Sequence, residues 1–596
     1  MVQFHSLKLR LRRLFRKRKR QAARLGSQAE TQLEMNFVRR LSHLARVRRF
    51  VAVWLVLAVA LIVGVIAQTR ALTSYYQTLQ PVEGGIYSEG IVGAFTNANP
   101  LYATGRVNNA ISRLIFAGLF KYDADNKLVG DLAESWQVDK SGRLYTVQLR
   151  QNLTWHDGKP LTAADVAFTY QTIQNPDAQS PLNVSWQNVT VTTQGEHTVL
   201  FKLPNPLASF PDSLTTGIVP KHILEHVSYT DLRSVSFNTT QPIGAGPFML
   251  KQIEVTGNTP TTREEEIAFQ PFKGYYGGAP NLSSFVVHAF PNEEKLFESF
   301  RDQDITAMVA PQNPPKDITG AKNVHSYNLP LAAANMVFFK TTSGALSDKA
   351  VRQALVGVAD TDQIIKSLGG GLIPVREPLL EGQVGHNTSL QQLRIDTLQA
   401  NKLLNKVGWK LQPNGIRAKK GMPLSFKLFA QDTVEYRTVT KLLRQQWKPL
   451  GVDVQVYLQS ISDLQPTVAY HSYDALLYGI SIGADPDVFV YWNSSQADVR
   501  SASRLNFSEY KSTVADAALE AGRTRTTAEL RAIKYRSFLN AWRDDAPALG
   551  LYQPKVTYIT HGRVYNLTDR ALVTDADRFN NVSDWMIRTV RKDTRQ

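Results

Sequence analysis

The sequence contains no cysteine in its 596 residues. This absence excludes disulfide bonds, thiolate metal sites, cysteine nucleophiles and a lipid anchor attached to cysteine. Motifs for a P-loop, an EF-hand calcium loop and an H-E-x-x-H zinc site are also missing, so we expect neither a metal nor a cofactor. The 43% hydrophobic and 20% charged residues are typical of a globular protein, and the length indicates several domains.

The net charge is +17, but most of the chain carries almost no excess of positive charge. Residues 1–49 contain fifteen Lys and Arg and only two acidic residues. The remaining 547 residues contain 53 basic and 49 acidic side chains. A nucleic-acid binder carries its basic residues on the folded body. The distribution therefore predicts no nucleic-acid partner.

An uncharged run of eighteen residues, from Phe50 to Ala67, follows the basic segment. A helix of this length spans about 27 Å, close to the thickness of the hydrocarbon core of a bilayer. Arg48 and Arg49 precede the run, and the basic excess on that side predicts a cytoplasmic N-terminal tail. Residues 65–67 also fit a signal-peptide cleavage site, so cleavage stays open as an alternative. We expect a retained single-pass anchor in the cell membrane, with the C-terminal domain outside the cytoplasm.

Strand and helix periodicities interleave in the body of the chain. Residues 143–150 alternate between polar and apolar side chains, which predicts a strand. Residues 351–368 predict one amphipathic helix, and residues 519–545 predict one charged helix. The mixture indicates an α/β protein with more than one lobe.

Several sequence motifs occur in a fixed order over roughly residues 84–565 and resemble the extracellular solute-binding proteins of family 5, which bind dipeptides, oligopeptides and nickel. A dozen such motifs in order make the resemblance specific, whereas one alone would be weak. The main motifs are D-L-A-E-S-W at 131–136, Y-T-V-Q-L-R at 145–150, W-H-D-G-K-P-L-T-A-A-D-V at 155–166, V-P-K-H-I-L at 219–224, P-I-G-A-G-P-F at 242–248 and D-P-D at 485–487.

The resemblance implies an α/β, two-lobed clamp of the type II periplasmic-binding-protein kind, with an inserted subdomain and one preceding transmembrane helix. Its lobes would close on a ligand about a hinge. It also implies that Trp136 and Trp155 belong to the core of the inserted subdomain. The expected segments are a basic cytoplasmic tail (1–49), a transmembrane helix (50–67), a linker (68–84), lobe I (85–124, 242–334 and 554–596), the inserted subdomain (125–241) and lobe II (335–553).

The function implied by the resemblance is that of a substrate-binding protein of an ABC importer, not an enzyme. The protein would capture a peptide or a related small polar solute and deliver it to membrane permease subunits, which a separate ATPase drives. We expect a monomer that contacts the membrane through its N-terminal helix. Two alternatives remain: a membrane-anchored serine hydrolase that uses Ser481, and a clamp-type sensor or chaperone that has no permease.

The ligand cleft of such a protein needs hydrogen-bonding backbone, a few charges and aromatic walls. Peptide receptors of the family anchor the peptide amine with an aspartate three residues before the acidic–proline pair, where this chain has isoleucine. Either a nearby aspartate replaces that anchor, or the ligand has no free amine. The three aromatic candidates fit core positions equally well. The predicted ligand-contacting residues are Asn97, Tyr478, Ile482, Asp485, Tyr491, Trp492 and Asn506.

Two short motifs resemble catalytic sites. Residues 479–483 fit the G-x-S-x-G nucleophile elbow around Ser481, but an elbow requires a helix directly after the serine, and Pro486 interrupts one. Residues 222–226 fit the H-x-x-E-H zinc pattern, in which two imidazoles bind the metal. No third ligand is evident, and five-residue patterns are common by chance. We therefore predict no catalytic residue and no metal ligand.

Overall fold

The computed structural model describes residues 48–311, 314–369, 371–501 and 503–593. Nearly all of the predicted cytoplasmic tail lies outside these residues. The described helices are α1 (Arg48–Tyr76), α2 (Arg106–Ile115), α3 (Ala163–Gln174), α4 (Asn183–Trp186), α5 (Lys221–Leu224), α6 (Glu293–Arg301), α7 (Lys316–Thr319), α8 (Lys349–Val358), α9 (Thr361–Leu368), α10 (Thr397–Lys406), α11 (Val434–Trp447), α12 (Ile461–Ala469), α13 (Phe489–Trp492), α14 (Thr513–Arg523) and α15 (Ala528–Asp545).

Strands alternate with these helices along the chain. The described strands are β1 (Gln77–Val82), β2 (Ile86–Val92), β3 (Phe120–Tyr122), β4 (Leu128–Gly130), β5 (Ala133–Val138), β6 (Leu144–Leu149), β7 (Thr190–Thr193), β8 (Thr198–Lys202), β9 (Phe248–Thr256), β10 (Glu264–Pro271), β11 (Ser284–Phe290), β12 (Ala307–Ala310), β13 (Val324–Pro330), β14 (Ala333–Phe339), β15 (Ile373–Pro374), β16 (Lys410–Leu411), β17 (Arg417–Lys419), β18 (Met422–Pro423), β19 (Ser425–Gln431), β20 (Asp453–Gln459), β21 (Ala475–Ser481), β22 (Ala548–Gln553), β23 (Lys555–His561) and β24 (Arg588–Asp593).

Helix α1 contains a segment, Phe50–Arg70, that is long and apolar enough to cross a membrane. Length and composition alone support this assignment, and a signal sequence passes the same test. The helix continues without a break past Ala67, where the Oγ1 of Thr69 donates a hydrogen bond to the carbonyl oxygen of Val65 at 2.8 Å. The following strand β1 pairs with β24 in a two-stranded sheet.

The first lobe is built on a seven-stranded mixed sheet in the order β13-β23-β12-β2-β11-β10-β9. Strand β2 lies in the middle and pairs in parallel with β11 and with β12. The side chain of Tyr87 on this strand is fully buried and packs against Phe285 and Trp585. The strands come from both ends of the chain, so this lobe forms only when distant segments meet.

The second lobe contains a six-stranded sheet in the order β15-β22-β14-β21-β19-β20. Helices cover both faces, because a sheet with parallel pairs and two apolar faces must be shielded from water on each side. On one face the core includes Val351 and Trp447, from α8 and α11. On the other face it includes Phe538 and Trp542, from α15.

Between β4 and β9 the chain forms a separate four-stranded antiparallel sheet in the order β5-β6-β8-β7. The predicted strand at 143–150 is confirmed as β6. Trp155 is fully buried, as expected. The core prediction for Trp136 is wrong: its side chain is 40% exposed, because β5 lies at the edge of its sheet. Its ring packs against Phe120 in a tilted arrangement, with the ring centroids 4.7 Å apart.

Two segments that each predicted a single helix are broken into two helices. Residues 351–368 divide into α8 and α9, and the carboxylate of Asp360 caps the second helix by accepting a hydrogen bond from the backbone N–H of Gln363. Residues 519–545 divide between α14 and α15, and Arg523 ends the first of them. The prediction of single helices was wrong because it relied on apolar periodicity, which continues across both breaks.

Candidate functional site

The two large sheets are joined at two neighbouring crossings of the chain. One crossing is the Leu331–Ala332 step between β13 and β14, and the other is Pro554 between β22 and β23. The backbone N–H of Leu331 donates to the carbonyl oxygen of Pro554 at 2.8 Å, which holds the crossings together. The carbonyl oxygen of Ala332 accepts from the N–H groups of Ile482 and Gly483. The loop that follows β21 therefore begins at the crossing.

A cavity of about 310 Å³ lies between the lobes beside this loop. Three separate parts of the chain form its walls: the first lobe, the segment between β4 and β9, and the loop 482–487 of the second lobe. Its lining residues are Arg113, Tyr122, Ser209, Asp212, Thr215, Ile482, Gly483, Ala484, Asp485, Asp487, Val573, Thr574 and Asp577. We call this space the interlobe cavity.

The walls of the interlobe cavity touch each other directly. The backbone N–H of Ala208 donates a hydrogen bond to the carbonyl oxygen of Arg523, at 2.8 Å. The hydroxyl of Ser209 donates to Oδ2 of Asp487, at 3.0 Å. Both contacts join the segment that precedes β9 to the second lobe. They therefore link two walls of the cavity beside the loop 482–487.

Asp485 and Asp487 in the cavity wall are neutralised by arginines of the second lobe. Both carboxylate oxygens of Asp485 accept hydrogen bonds from Arg531, each at 2.6 Å. Oδ2 of Asp487 accepts from Arg523 at 2.9 Å. Burial lowers the pKa of Arg531, but the hydrogen bonds and charge of Asp485 outweigh it and raise the pKa overall. Asp485 is therefore committed to a protein partner.

Asp212 on the opposite wall has a different environment. It lies in the short 3-10 turn Phe210–Thr215 and accepts a hydrogen bond from the hydroxyl of Tyr122 at 2.6 Å. Burial raises the pKa of Asp212 to about 6; the Tyr122 hydrogen bond opposes that rise, and the charge of Asp485 adds to it. A carboxyl group with this pKa is poised to change its charge in mildly acidic solution.

Of the seven predicted ligand-contacting residues, the structure brings Ile482 and Asp485 together in the interlobe cavity. Asn97 lies in a loop of the first lobe, where its Oδ1 accepts from the N–H of Asn99. Tyr491 donates to the carbonyl oxygen of Ser481 at 2.7 Å. Tyr478 packs its ring edge-on against a neighbouring phenylalanine. These last three are not among the residues that line the cavity.

Trp492 and Asn506 are fully enclosed by protein. The indole of Trp492 packs against Phe338 and Trp542. The amide of Asn506 donates to the carbonyl oxygens of Asn493 and Tyr510 and accepts from the N–H of the latter. Both side chains thus serve the core of the second lobe, and neither presents a surface to the cavity in this conformation.

The two catalytic-looking motifs do not form sites. Ser481 is the last residue of β21, and the next helix begins only at Phe489, so the strand–turn–helix of a nucleophile elbow is not made. His222 bonds to Asp157 at 2.8 Å, while His226 is 88% exposed at its side chain. Throughout the described ranges, no group of three or more His, Cys, Asp or Glu is arranged to hold a metal.

Residues at the cavity that the sequence did not reveal include Asp212, Tyr122, Arg523 and Arg531. The two arginines lie on or at the end of helices whose charged pattern predicts only solvated faces. Arg531 is 46 residues away from its partner Asp485, so no local spacing links the pair. The one available signal was an aspartate beside phenylalanine and proline at 210–212, which is uninformative by itself.

Comparison with known proteins places these features in a family. The model of the bacterial extracellular solute-binding proteins, family 5, middle region, matches residues 127–501. The oligopeptide-binding protein AppA of Bacillus subtilis is 26% identical over 485 residues, which cover 80% of this chain and 87% of that protein. Protein XP55 of Streptomyces lividans is 27% identical, covering 81% and 84%.

Solved structures show the same fold. The structure of AppA from Bacillus subtilis with a nonapeptide has a TM-score of 0.69 at 24% identity, covering 85% of this chain and all of that one. The structure of NikZ from Campylobacter jejuni with Ni(L-His) has a TM-score of 0.70 at 24% identity, covering 84% and 99%. These likenesses confirm the predicted two-lobed α/β fold of the periplasmic-binding kind.

Proposed function

Since the chain belongs to the bacterial extracellular solute-binding proteins of family 5, we propose that it is the substrate-binding protein of an ABC importer. It captures a peptide or a related small polar solute outside the cytoplasm and delivers it to membrane permease subunits, acting as a monomer. The observation that carries the proposal is the interlobe cavity, whose walls come from three separate parts of the chain. A site divided in this way is suited to closing around a ligand.

Two classes of ligand are supported by the relatives. The similar protein of Bacillus subtilis is named an oligopeptide-binding protein and was solved with a nonapeptide. The similar protein of Campylobacter jejuni was solved with Ni(L-His). Of the two, we propose the peptide class, which both the sequence similarity to AppA and its structure with a nonapeptide support. We keep Asn97, Tyr478, Tyr491, Trp492 and Asn506 as proposed ligand contacts that rest on their positions in the family motifs.

The hydrolase and sensor alternatives receive no structural support. Ser481 lacks the elbow that a serine nucleophile requires, and the matching family is one of binding proteins. We also propose the domain boundaries drawn from the sequence, with lobe II over 335–553 and an inserted subdomain over 125–241.

The proposal predicts that the lobes close when peptide binds. The chain has no native cysteine, so spin labels can be placed at Val184→Cys and Val514→Cys. Both side chains are exposed and lie on α4 and α14. Other residues of these two helices line the same groove between the lobes. With a peptic digest of casein as the probe, we expect the label–label distance to shorten and its distribution to narrow in pulsed electron spin resonance.

A second label pair serves as the control for this measurement. Val434→Cys together with Val514→Cys places both labels on exposed positions of the second lobe, so the digest should leave that distance unchanged. Equal distributions with and without the digest at the Val184 and Val514 pair would argue against a closing clamp. A change at both pairs would indicate rearrangement within the lobe rather than closure.

We further propose that residues 50–67 are a retained membrane anchor, with the basic tail 1–49 in the cytoplasm. Support comes from the uninterrupted helix α1, which passes the cleavage-like residues 65–67, and from the basic residues on its N-terminal side. We expect the protein to stay in the membrane pellet after alkaline carbonate extraction and to keep its tail. N-terminal sequencing that begins at Gln68 would show instead that the segment is a cleaved signal peptide.

A further inference from the structure

The aspartates that line the interlobe cavity are not all paired with a positively charged side chain. Four aspartates line it, and three guanidinium groups pair with all but one of them. The three pairs are Asp485 with Arg531 at 2.6 Å, Asp487 with Arg523 at 2.9 Å, and Asp577 with Arg113 at 2.9 Å.

The remaining carboxylate is that of Asp212. Its Oδ1 accepts a hydrogen bond from the hydroxyl of Tyr122, which supplies no positive charge. Within the described part of the chain, no Lys, Arg or His forms an ion pair with it, whereas the other three aspartates each have one. The charge of Asp485 raises its pKa more than that of Arg531 lowers it. When Asp212 is ionised, the cavity therefore has one excess negative charge.

We propose that Asp212 anchors an ammonium group of the bound solute. This inference rests on the proposed function of the interlobe cavity. A buried cation requires a carboxylate partner, because an uncompensated charge is strongly unfavourable away from water. Ile482 offers none, and both oxygens of Asp485 are occupied by Arg531. The carboxylate that remains available is that of Asp212, on the opposite wall of the cavity.

The geometry of Asp212 favours an ammonium over a guanidinium. A guanidinium binds a carboxylate best through two parallel hydrogen bonds, one to each oxygen. At Asp212 one oxygen, Oδ1, already accepts from Tyr122. A compact ammonium needs only a single oxygen. The α-amine of a peptide, or the side chain of a lysine within it, fits this requirement.

The electrostatic surroundings make such binding dependent on pH. The groups that face Asp212 are Tyr122, Asp485 and Arg531, with Asp577 and Arg113 farther along the cavity. Only the ionised form of Asp212 attracts an ammonium, and its pKa of about 6 means that protons compete below that pH. A peptide α-amine stays largely protonated between pH 5 and pH 7. Affinity should thus fall on acidification by about tenfold at pH 5.

The test uses the full chain in detergent and two probes, a peptic digest of casein and the same digest with its amines acetylated. Peptides that remain bound after gel filtration at sub-saturating concentration are quantified by mass spectrometry. We expect the wild type to retain the native digest at pH 7, to retain about tenfold less at pH 5, and to retain little of the acetylated digest. Asp212→Asn should reduce retention at pH 7 by roughly 30-fold or more and remove the pH dependence.

Two further variants keep the test falsifiable if Asp212→Asn folds poorly. Asp231→Asn removes an exposed carboxylate of the same segment and should leave retention unchanged. Tyr122→Phe keeps the carboxylate but removes the hydrogen bond that lowers its pKa, so half-loss of binding should move above pH 6. A purely structural role of Tyr122 would not move that midpoint.

The possible failures are distinguishable. Equal retention of the native and acetylated digests, or wild-type retention by Asp212→Asn, would overturn the Asp212 anchor and leave solute capture intact. A wild-type protein that retains neither digest would overturn both the anchor and the capture of peptides.

Discussion

Replacing Arg578 with methionine is expected to lower the free energy of unfolding by about 3–5 kcal/mol. Arg578 donates to Oε1 of Glu89, and Tyr558 donates to Oε2 of the same carboxylate at 2.6 Å. The side chains of Glu89 and Arg578 are 0% and 1% exposed. Without the guanidinium, the Glu89 carboxylate would remain buried with no cation, which is the unfavourable outcome of breaking a buried pair.

This measurement has a natural reporter and two controls. The indole of Trp585 packs on Tyr87, which bonds to Tyr558. Trp585 is one of nine tryptophans in the chain, so tryptophan fluorescence during urea denaturation follows unfolding of the whole protein. The double variant Glu89→Met/Arg578→Met should recover most of the lost stability, because neither buried charge remains. Lys295→Met removes one partner of an exposed pair at 2.6 Å and should behave like the wild type. Equal effects of Arg578→Met and Lys295→Met would refute a stabilising role of the buried pair.

The Glu89–Arg578 pair also bears on the ligand site. Glu89 lies on the central strand β2, whereas Arg578 lies in the 3-10 turn Asp575–Phe579 near the end of the chain. The adjacent Asp577 lines the interlobe cavity. The pair therefore fixes the C-terminal wall of the cavity to the middle of the first lobe, and its loss should loosen that wall as well.

Arg531→Met is expected to lower the free energy of unfolding by about 2–4 kcal/mol. The effect should be smaller than at Arg578 because the side chains of Asp485 and Arg531 are 14% and 7% exposed, so water can partly solvate the carboxylate that is left. Asp485→Asn should also destabilise the protein, since it leaves a guanidinium without its partner. The double variant Asp485→Asn/Arg531→Met should be more stable than the sum of the single effects predicts.

Arg531→Met should also change the electrostatics of the cavity. The charge of Asp485 raises the pKa of Asp212, and the charge of Arg531 lowers it. Without Arg531, the pKa of Asp212 should rise above about 6, and peptide binding should weaken at a higher pH than in the wild type. Urea denaturation and the pH profile of peptide retention measure the two effects separately. Additive single variants would contradict direct coupling between Asp485 and Arg531.

Much of the fold was predictable because its signals are local or belong to recognisable motifs. The alternating residues 144–149 form β6, as the alternation at 143–150 predicted. The breaks between α8 and α9 and between α14 and α15 were not predictable from periodicity. Both helices of each pair bury their apolar side chains in the second lobe, so the pattern of apolar residues runs through the break.

The ligand site was less predictable than the fold. Ile482 and Asp485 were found through a family motif, and both line the cavity. The pattern gave no indication that Asp485 is neutralised, because Arg531 reaches it from another helix. Asp212 carried no informative signal, because an aspartate beside phenylalanine and proline at 210–212 is uninformative by itself. Its significance depends on which charges surround it, and these come from segments hundreds of residues apart in the chain.

By itself the sequence determined what depends on composition and short-range order: an apolar segment after a basic tail, a chain without thiol chemistry, and the order of motifs that specifies a two-lobed binding protein. Only the tertiary structure decided which charges in the cleft are compensated. Coulomb interactions depend on separation in space and on burial, and neither can be read from spacing along the chain. Asp485 and Asp212 are both aspartates in exposed-looking loop sequences. Folding places one against a guanidinium and leaves the other facing the cavity with only a tyrosine hydroxyl.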